Sequence, residues 1–360
     1  MRVAAVTVVA LAILAAITPV PADSVERWYS TALYPAIQRV TKPLTNTLPL
    51  AVFDALLIAA MLLIGTMLFR GARAAWSARR VTPLLRTLGR LLGTAAVVYL
   101  VFLAMWGLNY RRTPMEQRLE VAPLKPSGAA VVELGLRAAT QMNALHPRAH
   151  EMGWRGDEWR DPQLLRAFTD VQHALSDASP AVPGRLKRSL LGPYFRAAGV
   201  DGMINPFGLE VLANPDLLSF ERPFVAAHEW AHLAGYADES EANFVAWLTG
   251  MHGDVPAQYS AWLFVYWQVS GEVGAADRRR LAEALSNGPR RDVDAIVARL
   301  RRGRWPMLQQ AGWAVYDRYL KANRVDEGVR SYDAVVDLIL RARFDDGWTP
   351  VRRHAPASSR

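Results

Sequence analysis

FVAAHEWAHLAGYADESEANFVAWL, residues 224–248, sets two histidines four apart with a glutamate directly after the first. On an α-helix, positions i and i+4 share a face, so the imidazoles of His228 and His232 project together. That spacing lets both bind one Zn²⁺ ion. Glu229 points about 100° away, where it can reach a water without being a ligand. This is the HExxH arrangement of two ligands and a general base. Zinc lowers the pKa of a bound water toward ~7 and polarises a carbonyl. Phe224, Val225, Ala227, Ala231 and Ala234 give the helix an apolar body. Pro223 suits its first turn and Gly235 its C-terminal stop. Glu221, Arg222, Asp238, Glu239 and Glu241 flank it, so it is no membrane span, which argues against an intramembrane protease.

A zincin site needs a third protein ligand, and three carboxylates compete for the position. Asp238 extends the motif to HExxHxxGxxD. Glu239 opens an ExxxN pattern, with Asn243 one turn further on and able to orient a histidine ring. Glu241 lies about 200° round the helix from Glu239, so those two do not serve the same ion. The spacing favours Glu239, with Glu241 and Asp238 as alternatives.

The 360-residue chain is long enough for two or three regions and a sizeable core. It has no cysteine, which removes thiolate ligands and leaves His, Asp and Glu to hold any metal. With 51% hydrophobic residues, membrane segments are expected. Three apolar runs, at about 3–20, 48–69 and 91–108, approach the roughly 20 residues that span hydrocarbon. The first run also reads as a signal peptide, with Ala22 at a plausible cleavage point. Residues 70–90 hold six arginines and no acid, which places that segment in the cytoplasm by the positive-inside rule. Everything after the third run then lies outside the membrane, and Trp106 and Tyr110 fall where an aromatic belt is expected. The expected address is the bacterial cytoplasmic (inner) membrane, multi-pass, with the C-terminal domain facing the periplasm or cell exterior.

The net charge of +9 sits mainly in the N-terminal third, where residues 1–110 carry ten Lys/Arg against three Asp/Glu. The remainder is nearly balanced, which argues against a nucleic-acid partner. The expected partners are the lipid bilayer and a peptide or protein substrate. Residues 1–110 read as a membrane anchor, 111–350 as a mostly α zinc-metallopeptidase-like domain with a small β element, and 351–360 as a disordered tail. Helical patterns include 127–143, 162–178, 184–198, 222–234, 238–250 and 256–269. The clearest strand is GLEVLAN, 208–214.

The segment HEWAHLAGYADESEANFVAWL resembles an uncharacterised bacterial family of membrane-anchored HExxH proteins, domain of unknown function 3810. WGLNYRR (106–112) and YLKANRVDEGVRSYDAVVDLIL (319–340) are similar to it as well. The resemblance implies a gluzincin-like motif but supplies no substrate, and its likeness to other gluzincin helices points to Glu239. Tyr332 and Tyr319 are oxyanion candidates by resemblance only. His252 is a further one, although a lone histidine is usually structural.

Other polar residues have simpler readings. HPRAHE (146–151) repeats the i, i+4 histidine pair, but Pro147 between them predicts a loop rather than a metal site. Glu210 in GLEVLAN would mark a peptide cradle if that strand were a sheet edge, or merely be an exposed acid. Asp54, in the second run, is expected to reach the interface or cap a neighbouring helix. Only Asp54 supports a channel or transporter. Residues 24–47 are amphipathic and suit the outer membrane face. Trp154 and Trp159 suggest an aromatic loop near a membrane or partner. Against the peptidase expectation stands a non-catalytic, metal-stabilised envelope sensor or assembly protein.

Overall fold

A computed structural model describes residues 2–322 and 334–353. Among the described residues two helices, Val52–Ala78 and Thr82–Met105, are long and apolar enough to cross a membrane. The first apolar run forms a 16-residue helix, Arg2–Ile17. At about 1.5 Å per residue it falls short of a hydrocarbon core of about 30 Å. It amounts to a third span only if counted with the helical segment Ala22–Thr47, from which it is bent by 112°. The arginine-rich stretch is not a loop. Both long helices continue through it, joined at Arg79, which takes a left-handed conformation with φ 49°.

Residues 22–47 pack one face against the domain that follows. Val25–Leu33 winds as a wide π-helix and Tyr34–Thr47 continues as an α-helix. Their buried side chains, Tyr29, Tyr34, Gln38 and Lys42 among them, face the following domain, while Trp28, Val40 and Leu44 stay exposed. The amphipathic pattern was legible, but the partners of its polar groups lie from 75 to 199 residues further on.

The rest is helical around one core. The helix Gly128–Met152 packs along Val255–Glu272, and the motif helix Arg222–Leu233 packs on the acidic helix Glu239–His252. Trp230 shows why the motif helix is fixed. Its ring is fully buried against Phe168 at 5.5 Å, and its Nε1–H donates to the Gly184 carbonyl at 2.7 Å. Aromatic rings buried this way carry a large share of core stabilisation.

The sheet has three short strands in the order β1 (Leu186–Lys187), β3 (Glu210–Ala213), β2 (Gly202–Asn205). β1 pairs parallel to β3 and β2 antiparallel to it. The helix expected over 184–198 therefore holds only from Gly192 to Ala198, because its first part is consumed by β1. Near the C-terminus, Arg352 bridges Leu119 and the Arg353 N–H donates to the Arg118 carbonyl. Residues 351–353 are thus paired rather than a loose tail, and 354–360 lie outside the described residues.

Candidate metal centre

The motif helix begins at Arg222 with Pro223 in its first turn and ends at Leu233, and Gly235 turns the chain with φ +87°. A positive φ is cheap only for glycine. The chain then re-enters a helix at once. Asp238 caps it by accepting from the N–H groups of Ser240 (2.8 Å) and Glu241 (3.3 Å). This short reversal folds Glu239 back over the two histidines.

His228 Nε2 and His232 Nε2 lie 3.1 Å apart, and Glu239 Oε2 lies 3.4 Å from each. Tetrahedral bonds of about 2.0–2.2 Å place ligand atoms about 3.3–3.6 Å from one another. The three atoms therefore stand close to the edges of a tetrahedral metal site. All three side chains are 15% exposed or less. His232 Nδ1 lies 2.7 Å from the Tyr236 carbonyl, which can only accept, so Nδ1 carries the proton and Nε2 is left as a donor toward a metal. The residues fit a four-coordinate cation with one position open.

The other two carboxylates have different work. Asp238 is occupied as the cap. Glu241 turns away and accepts from the Met115 N–H at 2.5 Å, with Arg118 3.8 Å from its second oxygen. Asn243 is near enough to His228 to affect its proton affinity.

Electrostatics separate the roles within the site. Burial would raise the Glu239 carboxyl, but the charges and hydrogen bonds of His232 and His228 outweigh it and hold it well below the usual range. Burial would lower His232, yet the Glu239 charge pushes it up to about 9. Burial pushes His228 down. Burial also pushes Glu229 up to about 8, with His232 pulling the other way. Glu229 Oε2 is buried without a hydrogen-bond partner among the described residues, a costly state for a polar atom unless something else is meant to meet it.

Glu229 faces β2. A Cβ built on Gly202 would lie 2.5 Å from Glu229 Oε1, so any side chain there would have to push the end of this carboxylate aside. The edge strand near the motif is therefore β2, not GLEVLAN. β3 is central and paired on both sides, which rules it out as a peptide cradle. Glu210 is buried there, 2.5 Å from Lys187 Nζ, and it also accepts from the Val52 and Phe53 N–H groups at the head of the first long span.

His252 closes the far end of the acidic helix, thirteen residues or about 20 Å from Glu239. Its Nδ1 lies 2.9 Å from the Leu248 carbonyl, which makes it structural rather than an oxyanion donor. Tyr332 and the side chain of Tyr319 lie outside the described residues. Asp54 binds Ser189 Oγ (2.5 Å) and the Leu190 N–H (3.0 Å), joining the start of the span to the domain. Trp154 lies in the loop after the helix Gly128–Met152 and packs against His150 and Tyr259. Trp159 is half-buried between Arg160 and Arg185.

WGLNYRR also has a structural meaning that spacing did not disclose. The last carbonyls of a helix lack partners within it. Here side chains from the membrane-proximal part of the chain supply them. Trp106 Nε1 donates to the His232 carbonyl (2.9 Å), Tyr34 Oη and the Gln38 amide to that of Leu233, and Arg112 to that of Gly235 (2.9 Å). Trp106 is 4% exposed, so it is not a lipid-facing belt residue. Trp106→Phe is expected to lower stability by about 1 kcal/mol, read by chemical denaturation, because one buried hydrogen bond is lost. An unchanged midpoint would show that this bond does not hold the motif helix.

No curated protein and no solved structure matches the chain. Residues 29–340, most of the sequence, match the family described as "Protein of unknown function (DUF3810)", and the chain belongs to that family.

Proposed function

We propose that the protein is a membrane-anchored zinc metallopeptidase whose helical, gluzincin-like domain faces the periplasm or cell exterior. The convergence of His228, His232 and Glu239 carries this reading. Borderline nitrogen donors with one carboxylate suit Zn²⁺. Bound there, zinc supplies Lewis acidity, which polarises a carbonyl and makes water a nucleophile near neutral pH. The chain's own residues supply the rest. Glu229 accepts a proton from the attacking water. As the C–N bond breaks, it passes that proton to the departing amine, which balances the hydrolysis. Burial raises this carboxyl and the charge of a bound cation would lower it again, which brings a proton-exchanging group toward the range that general-base catalysis needs. The outer edge of β2, beside Glu229, offers backbone groups to an extended peptide.

Gly202→Ala should keep the zinc and slow hydrolysis roughly 100-fold, because displacing a catalytic group by about an ångström costs that much. Equal rates in the two proteins would remove β2 from the site. The overall test is cleavage of a peptide mixture by the detergent-solubilised protein, followed by mass spectrometry. A chelator should abolish cleavage and Zn²⁺ should restore it.

Close burial of the three ligands favours a second reading, in which zinc holds the two helices together in a non-catalytic envelope sensor or assembly protein. Zinc retention without any cleavage product, together with unfolding of His228→Ala, would support that role and defeat the enzyme.

A further inference from the structure

HPRAHE does not form a loop. The helix Gly128–Met152 runs straight through Pro147, so His146 and His150 sit one turn apart on one face after all. A proline forfeits one backbone hydrogen bond, and interhelical contacts on this stretch hold the helix in spite of that. One such contact is Asn143, the residue whose carbonyl the proline cannot engage. Its side chain donates to the Ala284 carbonyl (2.8 Å) and accepts from the Ser286 N–H (2.8 Å). That clasp fixes the turn before the helix Asn287–Gly303 and brings Asp292 over the two histidines.

Asp292 Oδ2 lies 2.8 Å from His150 Nε2 and 3.6 Å from His146 Nε2. These separations bracket the ligand–ligand edge of a tetrahedral ion, about 3.3–3.6 Å. The imidazole rings lie 4.0 Å apart at their centroids. Tyr259 Oη donates to the same Asp292 oxygen at 2.5 Å, an outer contact of the kind that orients metal-binding carboxylates. His146 and Asp292 are largely enclosed, at 15% and 10% exposure. His150, at 37%, leaves one side open for entry and for a water ligand.

We propose that His146, His150 and Asp292 form a second divalent-cation site of the zinc class, separate from the HExxH centre. Two imidazoles and one carboxylate, in a chain without thiolates, select a borderline first-row ion over Ca²⁺ or Mg²⁺. The ion joins the helix Gly128–Met152 to Asn287–Gly303 and so fastens that helix onto the core. A chain of contacts through Tyr259, Ser260 and Phe224 links it to the first centre. The neighbour of Tyr259, Ser260, accepts from the Phe224 N–H at 3.1 Å, and the Phe224 ring stacks on His228 at 6.4 Å.

The test counts zinc per chain in the full-length, detergent-solubilised protein after chelator stripping, Zn²⁺ reloading and desalting, by inductively coupled plasma mass spectrometry. The wild type should hold two equivalents. His146→Ala/His150→Ala should hold one, and so should His228→Ala/His232→Ala. Asp292→Asn, which keeps an acceptor for Tyr259, covers the case in which the histidine variant fails to fold, and it too should hold one. Far-ultraviolet circular dichroism of each variant reports folding. If the wild type holds one equivalent and folded Asp292→Asn still holds it, the His146–His150–Asp292 cluster is a plain hydrogen-bond network and the proposal is wrong. If the wild type holds one equivalent and Asp292→Asn loses it, the second site stands and the HExxH centre is what fails.

Discussion

Glu229→Gln should leave zinc content unchanged and cut peptide hydrolysis by about 10²–10⁴-fold, the usual contribution of a general base. Glutamine has nearly the shape of glutamate, and residue 229 is not one of the three converging ligands, so metal loading has no reason to change. The amide cannot take a proton from water. In the proposed mechanism this carboxyl handles the proton, and its buried Oε2, which has no hydrogen-bond partner among the described residues, leaves it room to do so. A variant cutting at the full wild-type rate would remove Glu229 from the mechanism. If both proteins are inactive and both hold zinc, the non-catalytic reading gains.

Glu210→Ala should destabilise the protein by about 3–5 kcal/mol, the penalty for stranding one member of a buried ion pair. Lys187 and Glu210 are at most 1% exposed and 2.5 Å apart. Lys42 is buried beside them, donating to the Leu209 carbonyl at 2.9 Å, and burial together with the Lys187 charge pushes it down to about 7. Without the carboxylate, two buried amines face each other with no counter-charge. The Val52 and Phe53 N–H groups at the head of the span also lose their acceptor. Glu210→Gln should cost less, since it retains an acceptor. Thermal and denaturant melts in detergent would measure both, and a loss below about 1 kcal/mol would show that this cluster does not hold the span to the domain.

Local rules were legible where the chain's near neighbours decide the outcome. The i, i+4 spacing placed His228 and His232 on one face. The 200° offset between Glu239 and Glu241 correctly kept them apart, and the structure turns Glu239 inward while Glu241 meets Met115 and Arg118. Apolar length located the helices Val52–Ala78 and Thr82–Met105. Long-range decisions were hidden. GLEVLAN reads as a strand, but nothing in seven residues says that partners will flank it on both sides. Trp106 reads as a belt aromatic until His232, 126 residues later, presents its carbonyl. Pro147 argues against a helix on local grounds and is overruled by contacts to residues 284–292.

The carbonyl contacts at the end of the motif helix have a consequence for how the protein comes into being. The groups that meet those carbonyls, Tyr34, Gln38, Trp106 and Arg112, are made well before the helix, at separations of 123 to 199 residues. Synthesis runs from the N-terminus, so these side chains are already made when residues 222–252 emerge. If the segment before the domain failed to insert, Tyr34 and Trp106 would not be presented together and the motif helix would have no seat. On the proposed topology the membrane segment would then act as a checkpoint in assembly, with histidine alignment waiting on insertion.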